Sequence, residues 1–121
     1  MEKSLTKNNS ENSWLWLVKI IAGLLIILLL GLHFIVNHLL APNGLLSYAE
    51  VVAYYKNPII PAIEIVFLIT VITHAFIGLR SIVLDLNPTR TVLRWVTGLL
   101  AVVGAVCITY GVWLVVVIAG R

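Results

Sequence analysis

Charged residues are scarce in this chain, at 11% of all residues, whereas soluble domains carry about 25%. Hydrophobic residues make up 61%, against roughly 45–50% in soluble domains. This composition excludes an ordinary soluble domain and indicates a membrane protein. The formal net charge is +3, but the basic residues are scattered and several lie near the ends of apolar runs. They therefore indicate membrane orientation, and nucleic acid is not expected as a partner.

Cysteine is almost absent. Cys107 is the single cysteine, and it lies within an apolar run, so an intrachain disulfide and a cysteine-based metal site are both excluded. We interpret it as a small packing residue. The apolar runs leave almost no chain for a separate soluble domain, so any chemistry must take place within or beside the bilayer.

Three apolar runs are long enough to cross a bilayer, which predicts an all-α integral membrane fold. The predicted spans cover residues 17–40, 59–86 and 92–119, within a membrane domain at 14–121. Residues 1–13 are polar and predict a tail that cannot build a core.

Ser47 and Glu50 match a capping box, which predicts a short helix over residues 47–56 between the first two spans. We expect this helix to lie on the membrane interface. An ordinary connecting turn is an equally good reading, because a capping box alone is a weak signal.

Loop charges predict the orientation of the chain. Basic residues are more frequent near the amino terminus and the second connection than on the opposite side, where Lys56 and Arg121 are found. The positive-inside rule then places the amino terminus in the cytoplasm and the carboxyl terminus outside. The expected membrane is the inner (plasma) membrane of the cell. The basic residues on the cytoplasmic side are Lys3, Lys7, Arg90 and Arg94.

A polar stripe interrupts the second span. At about 100° per residue, Gly78, Ser81 and Asp85 return close to the direction of His74, so all four share one helix face. Imidazole is an iron ligand, and a glycine one turn away lets a porphyrin edge approach the backbone. The stripe therefore favours a heme b site. A histidine hydrogen-bonded to a neighbouring helix is the alternative.

His33 in the first span is a second candidate ligand. Helical rise puts His33 and His74 at depths that differ by roughly 10 Å, so one heme is not expected to use both. We expect two hemes, each completed by a histidine of another polypeptide, so that a second anchor chain completes the helical bundle. His38 is interpreted as a hydrogen-bonded or water-facing residue, although the residues alone leave open which of the two, His33 or His38, binds.

Glu64 near the outer end of the second span has two interpretations. It is a possible part of a proton path beside the outer heme. Inserting a carboxylate into a membrane helix costs free energy, so such a residue usually has a function. Snorkelling to the interface, or pairing with Lys56, is the alternative.

His74, Gly78, Arg80 and Asp85 form the spacing H-x3-G-x-R-x4-D in the second span. With this spacing, the span resembles the membrane anchor subunits of the succinate dehydrogenase and quinol:fumarate reductase family. The resemblance implies heme b ligation by His74 and quinone chemistry at the cytoplasmic end. It also implies docking onto an iron–sulfur subunit that is bound to a flavoprotein, so this chain would supply no succinate site of its own.

The resemblance extends to the other candidate residues. A first-span histidine, here His33, is similar to anchors that carry two hemes, and by analogy such anchors favour menaquinone. Arg80, Ser81 and Asp85 are candidates for binding heme propionates or quinone, with proton delivery or a subunit interface as further roles for Asp85.

Two other functions remain open. The chain could be a cytochrome b subunit of another respiratory oxidoreductase, such as a hydrogenase or formate dehydrogenase. It could also be a heme-free membrane protein whose polar residues serve packing or ion passage. Heme content and co-purifying partners distinguish these readings.

Overall fold

The computed structural model describes residues 12–121, and every regular element in that range is helical. Three helices are long and apolar enough to cross a membrane, which confirms the predicted all-α fold. The predicted polar tail falls almost entirely outside the described residues. The helices are α1 (Ser13–Phe34), continued by a π-helical segment (Ile35–Leu39), α2 (Tyr48–Tyr54), α3 (Ile59–Asp85) and α4 (Arg90–Ala119).

Polar caps set the helix ends. The side chain of Asn12 accepts from the backbone N–H of Trp14, so α1 begins at Ser13, before the first predicted apolar position. Thr89 caps α4 in the same way, and α4 begins at Arg90. Hydropathy marks the part of a helix that suits lipid, whereas capping marks where the helix begins, so α1 and α4 begin before the predicted spans.

The predicted capping box is present at the start of α2. The backbone N–H of Ser47 donates to the Glu50 carboxylate at 2.6 Å, and the Glu50 N–H donates to the Ser47 hydroxyl at 3.3 Å. The bond from the Ser47 backbone N–H, with a smaller contribution from the Ser47 side chain, lowers the pKa of the Glu50 carboxyl. The location of α2 on the membrane interface stays a prediction.

A π-helical segment at the end of α1 was not predicted. The backbone N–H of Leu40 donates to the carbonyl of Ile35, five residues earlier, so the last turn is wider than an α-helical turn. Within it, the Asn37 amide donates to the backbone carbonyl of His33 at 2.9 Å. His38 contacts the carbonyl of Gly44 at 3.0 Å, in agreement with its interpretation as a hydrogen-bonded residue.

Helix α3 lies between α1 and α4 and packs against both. Close packing with α4 depends on glycine, because a Cβ at Gly104 would lie 2.8 Å from the ring of Phe76, and one at Gly111 would collide with Leu68. Small residues on α4 thus contact large ones on α3.

Few side chains are buried within residues 12–121. The buried apolar ones are small or near helix ends, and most large apolar side chains are exposed. In a membrane protein, such surfaces face lipid or another polypeptide. Cys107 is also exposed in this chain, so its interpretation as a packing residue stays a prediction. The buried apolar side chains are Ala22, Ala41 and Leu84.

Candidate functional site

His74 is oriented by the backbone of α1. Its Nδ1 lies 3.0 Å from the carbonyl oxygen of Lys19. A carbonyl only accepts, so Nδ1 carries the hydrogen and Nε2 keeps its electron pair. Within residues 12–121 this ring makes no other hydrogen bond. A histidine that ligates a metal commonly has this arrangement, with one nitrogen bonded to a carbonyl and the other free.

Gly23 makes this contact possible. A Cβ at Gly23 would lie 3.1 Å from Cε1 of His74, tighter than most real contacts, so the imidazole reaches the Lys19 carbonyl across a bare backbone. An open cavity of about 450 Å³ lies beside the ring, with walls that include Leu24 and Ile27 of α1. From the sequence, Gly78 was the glycine expected to let a porphyrin edge approach the backbone. No atom of this chain lies within 4 Å of the position that a Cβ would take at Gly78.

The donor set around His74 fits a heme. No three metal-ligating side chains come together in the described part of the chain, so a metal ion would gain one ligand here. A porphyrin brings its own four nitrogens and needs an axial imidazole, apolar walls and room for its edge. Nε2 of His74, the apolar cavity and the glycine backbone meet those needs.

His33 is oriented by a carboxylate. Its Nδ1 lies 3.1 Å from Oε1 of Glu64 on α3, and its ring lies against Phe67 with centroids 5.3 Å apart. The amide of Asn37 also lies 3.3 Å from Nδ1. Glu64 therefore pairs with His33, and the alternative of pairing with Lys56 is not found among the described residues. The pairing of Glu64 with His33 depends on how α1 packs against α3, which distance along the sequence does not reveal.

The two histidines lie at different depths. His74 is level with Lys19 on α1, and His33 is 14 positions further along that helix, which is about 21 Å of helical rise. On α3, Glu64 and His74 are 10 positions or about 15 Å apart. Both estimates exceed the roughly 10 Å expected from the sequence. One heme cannot span this distance between axial nitrogens.

The polar residues at the other end of α3 point in different directions. Lys19 Nζ donates to the Ser81 hydroxyl at 3.0 Å, which brings Ser81 to the same neighbour as His74, on α1. Arg80 instead donates through Nε to the hydroxyl of Thr97 on α4, at 3.1 Å. Asp85 is exposed at the helix end. Ser81 therefore faces α1 and Arg80 faces α4, and the structure does not bring Arg80, Ser81 and Asp85 together in one contact.

Lys19 is a further polar residue at this end, and it was not among the predicted site residues. A lysine inside an apolar run is the sequence feature that could have indicated it. Its partner Ser81 lies on α3, and the pattern of α1 alone does not reveal that contact. Between α3 and α4, a second open cavity of about 460 Å³ has Arg80 and Thr97 among apolar walls. This volume is within the range of small-molecule sites.

Comparison with known proteins places these features in a family. Residues 2–118 match the model for the succinate dehydrogenase/fumarate reductase transmembrane subunit. A curated relative from Archaeoglobus fulgidus, named succinate dehydrogenase hydrophobic membrane anchor subunit, is 38% identical over 99 residues, covering 82% of this chain and 84% of the relative. No solved structure matches the chain. The chain therefore belongs to the succinate dehydrogenase/fumarate reductase transmembrane subunit family.

Proposed function

We propose that this membrane anchor subunit binds heme b through Nε2 of His74 and passes electrons between an iron–sulfur subunit and a membrane quinone. The hydrogen bond from His74 Nδ1 to the Lys19 carbonyl carries this proposal, because it leaves the electron pair of Nε2 available to a metal beside an open apolar cavity. When bound, heme b supplies an iron that takes up and releases one electron at a time.

His74 has a defined part in this function. The Lys19 carbonyl fixes the ring orientation and the tautomer, so no rearrangement is needed before Nε2 binds iron. The backbone at Gly23 keeps the ring close to α1. Apolar side chains along the cavity would limit the access of water to a bound iron.

A second heme is proposed at His33, nearer the opposite face of the membrane. The separation of about 15–21 Å between the two histidine levels supports one heme for each. A histidine from a second anchor chain would complete each site, and the exposed apolar faces of the three long helices provide surface for that chain.

Quinone chemistry is proposed at the polar end formed by the carboxyl end of α3. Reduction of a quinone consumes two electrons and two protons, so cationic and hydroxyl groups near water are useful there. The cavity beside Arg80 and Thr97 combines apolar walls with a guanidinium that can donate to a quinone oxygen. Lys19 and Ser81 supply further donors on the α1 side, and exposed Asp85 is placed to exchange protons with water. Menaquinone is the proposed quinone if both hemes are present.

In the orientation proposed for the chain, this polar end lies at the cytoplasmic face of the plasma membrane. Contacts from Lys19 to Ser81 and from Arg80 to Thr97 bring the amino end of α1, the carboxyl end of α3 and the amino end of α4 together. Basic residues predominate at this end, as the positive-inside rule requires. The iron–sulfur subunit and its flavoprotein would dock here, so electrons reach the quinone over a short path.

The test is the reduced-minus-oxidised spectrum and the heme-to-protein ratio of the purified complex that contains this chain. We expect His74→Ala and His33→Ala each to remove a different heme, because each histidine is the axial ligand of one site. A His38→Ala variant is the matched control and should retain both hemes, since its Nδ1 contacts the Gly44 carbonyl away from both sites.

Three results would contradict the proposal. Wild-type complex without heme would favour a structural role for both histidines, whose internal hydrogen bonds would then serve packing. Loss of one shared heme in both variants would contradict separate sites. Purification with a hydrogenase or formate dehydrogenase in place of a succinate dehydrogenase would contradict the proposed partners.

A further inference from the structure

The two histidines have chemically different partners. His74 is bonded to a neutral backbone carbonyl, whereas His33 lies 3.1 Å from a carboxylate oxygen of Glu64. A carboxylate that accepts a hydrogen bond from the non-ligating nitrogen of an imidazole fixes the tautomer of the ring. It also makes the other ring nitrogen a stronger base than a carbonyl acceptor does.

Two groups compete for Nδ1 of His33. The Glu64 oxygen lies at 3.1 Å and the Asn37 amide nitrogen at 3.3 Å. Asn37 already donates to the His33 carbonyl at 2.9 Å, and a bond to a carboxylate is stronger than one from a neutral amide. Nδ1 therefore donates its hydrogen to Glu64, which leaves Nε2 of His33 without hydrogen and able to bind a metal.

Glu64 is more enclosed than the histidine that it contacts. The side chain of Glu64 is 16% exposed and that of His33 is 34% exposed. His33 is the only ion-pair or hydrogen-bond partner of the Glu64 carboxylate within residues 12–121. Outside the spans, burial raises the pKa of Tyr54 and Tyr55, and the negative charge of Glu64 raises it further.

We propose that Glu64 is a positioning residue for His33, holding its ring so that Nε2 faces the iron of the second heme. This inference rests on the proposed function, and it assigns Glu64 a role distinct from the proton path considered from the sequence. The geometry requires the carboxylate only as an acceptor and a fixed negative charge.

The experiment uses the intact complex with Glu64→Gln and Glu64→Leu, followed by heme quantification, redox titration and low-spin electron paramagnetic resonance. Glu64→Leu removes the acceptor, so we expect about 10–100-fold weaker retention of the heme at His33. Glu64→Gln keeps an accepting oxygen but removes the charge. We expect that heme to be retained, with its midpoint potential shifted to more positive values and its g values changed.

The controls separate this inference from folding and from the proposed function. The heme at His74 reports folding and should be unchanged in both variants. Glu50→Gln makes the same chemical change outside the spans and should alter neither heme. If His33→Ala removes a heme but both Glu64 variants leave its retention and potential unchanged, the role of Glu64 is overturned and the proposed function stands. If His33→Ala removes no heme, the second heme site itself is overturned, and the role of Glu64 with it.

Discussion

At the scale of single residues, the orientation of the His74 ring depends on a position that has no side chain, Gly23. The acceptor is the backbone carbonyl of Lys19, which mutation of the lysine side chain does not remove. Gly23 is the position through which this contact can be altered, because the imidazole lies directly over it.

Gly23→Ala should weaken heme binding at His74. The added Cβ would lie 3.1 Å from Cε1, so the ring must shift and its bond to the carbonyl lengthens. If this hydrogen bond contributes about 1 kcal/mol, heme affinity falls roughly fivefold. Heme loss from the detergent-purified complex to excess apomyoglobin measures this change.

Gly31→Ala on the same helix is the matched control for that experiment. No atom lies within 4 Å of the Cβ position at Gly31, so the substitution should leave heme binding unchanged. Equal rates of heme loss in wild type and Gly23→Ala would contradict the fit described for His74.

What the sequence reveals about these residues is limited to one helix at a time. Helical spacing correctly placed His74 and Ser81 on one face, and both contact Lys19. Their partners could not be predicted, because the pairing of Lys19 with Ser81 and of Glu64 with His33 depends on how α1 and α3 are aligned. That alignment is set by packing between helices far apart in sequence.

At the scale of helices, the packing of α3 against α4 depends on Gly104. A side chain there would meet the ring of Phe76 at 2.8 Å from the first added carbon. Gly104→Val should therefore separate the two helices and cost about 1–3 kcal/mol of stability. The thermal midpoint of the purified complex, followed by heme absorbance, is expected to fall.

Gly98→Val is the comparison on the same helix, since no atom lies within 4 Å of its Cβ position. The midpoint should change less than in Gly104→Val. An equal decrease in both variants would contradict a specific contact with Phe76 and would place the face of α4 around Gly98 in an interface of the complex.

Helix existence was predictable here, and helix ends were less so. Long apolar runs leave few alternatives to a membrane helix, because an unpaired backbone is too costly in lipid. Polar caps at Asn12 and Thr89 moved the ends outward, and the π-helical segment at Ile35–Leu39 has no signature in the local sequence. Its wider turn is stabilised by side-chain contacts such as Asn37 with His33.

At the scale of the whole molecule, the proposed orientation predicts which loops are accessible. In a Cys107→Ala background, Lys56→Cys should react with a membrane-impermeant maleimide from outside intact cells. Leu86→Cys, at the exposed end of α3, should react only in inverted vesicles washed free of soluble subunits. Labelling of Leu86→Cys in intact cells, with protection of Lys56→Cys, would reverse the orientation.

The partners of both histidines belong to α1, its π-helical segment and α3. Lys19, Gly23, Glu64 and Phe67 all precede the connection to α4, and no hydrogen bond or ring contact of either histidine involves α4 within the described residues. The groups of this chain that orient both histidines are therefore contributed by a hairpin of two membrane helices, α1 and α3. Substitutions on the lipid-facing surface of α4 could therefore suit a different neighbouring polypeptide and still leave the contacts of both histidines intact.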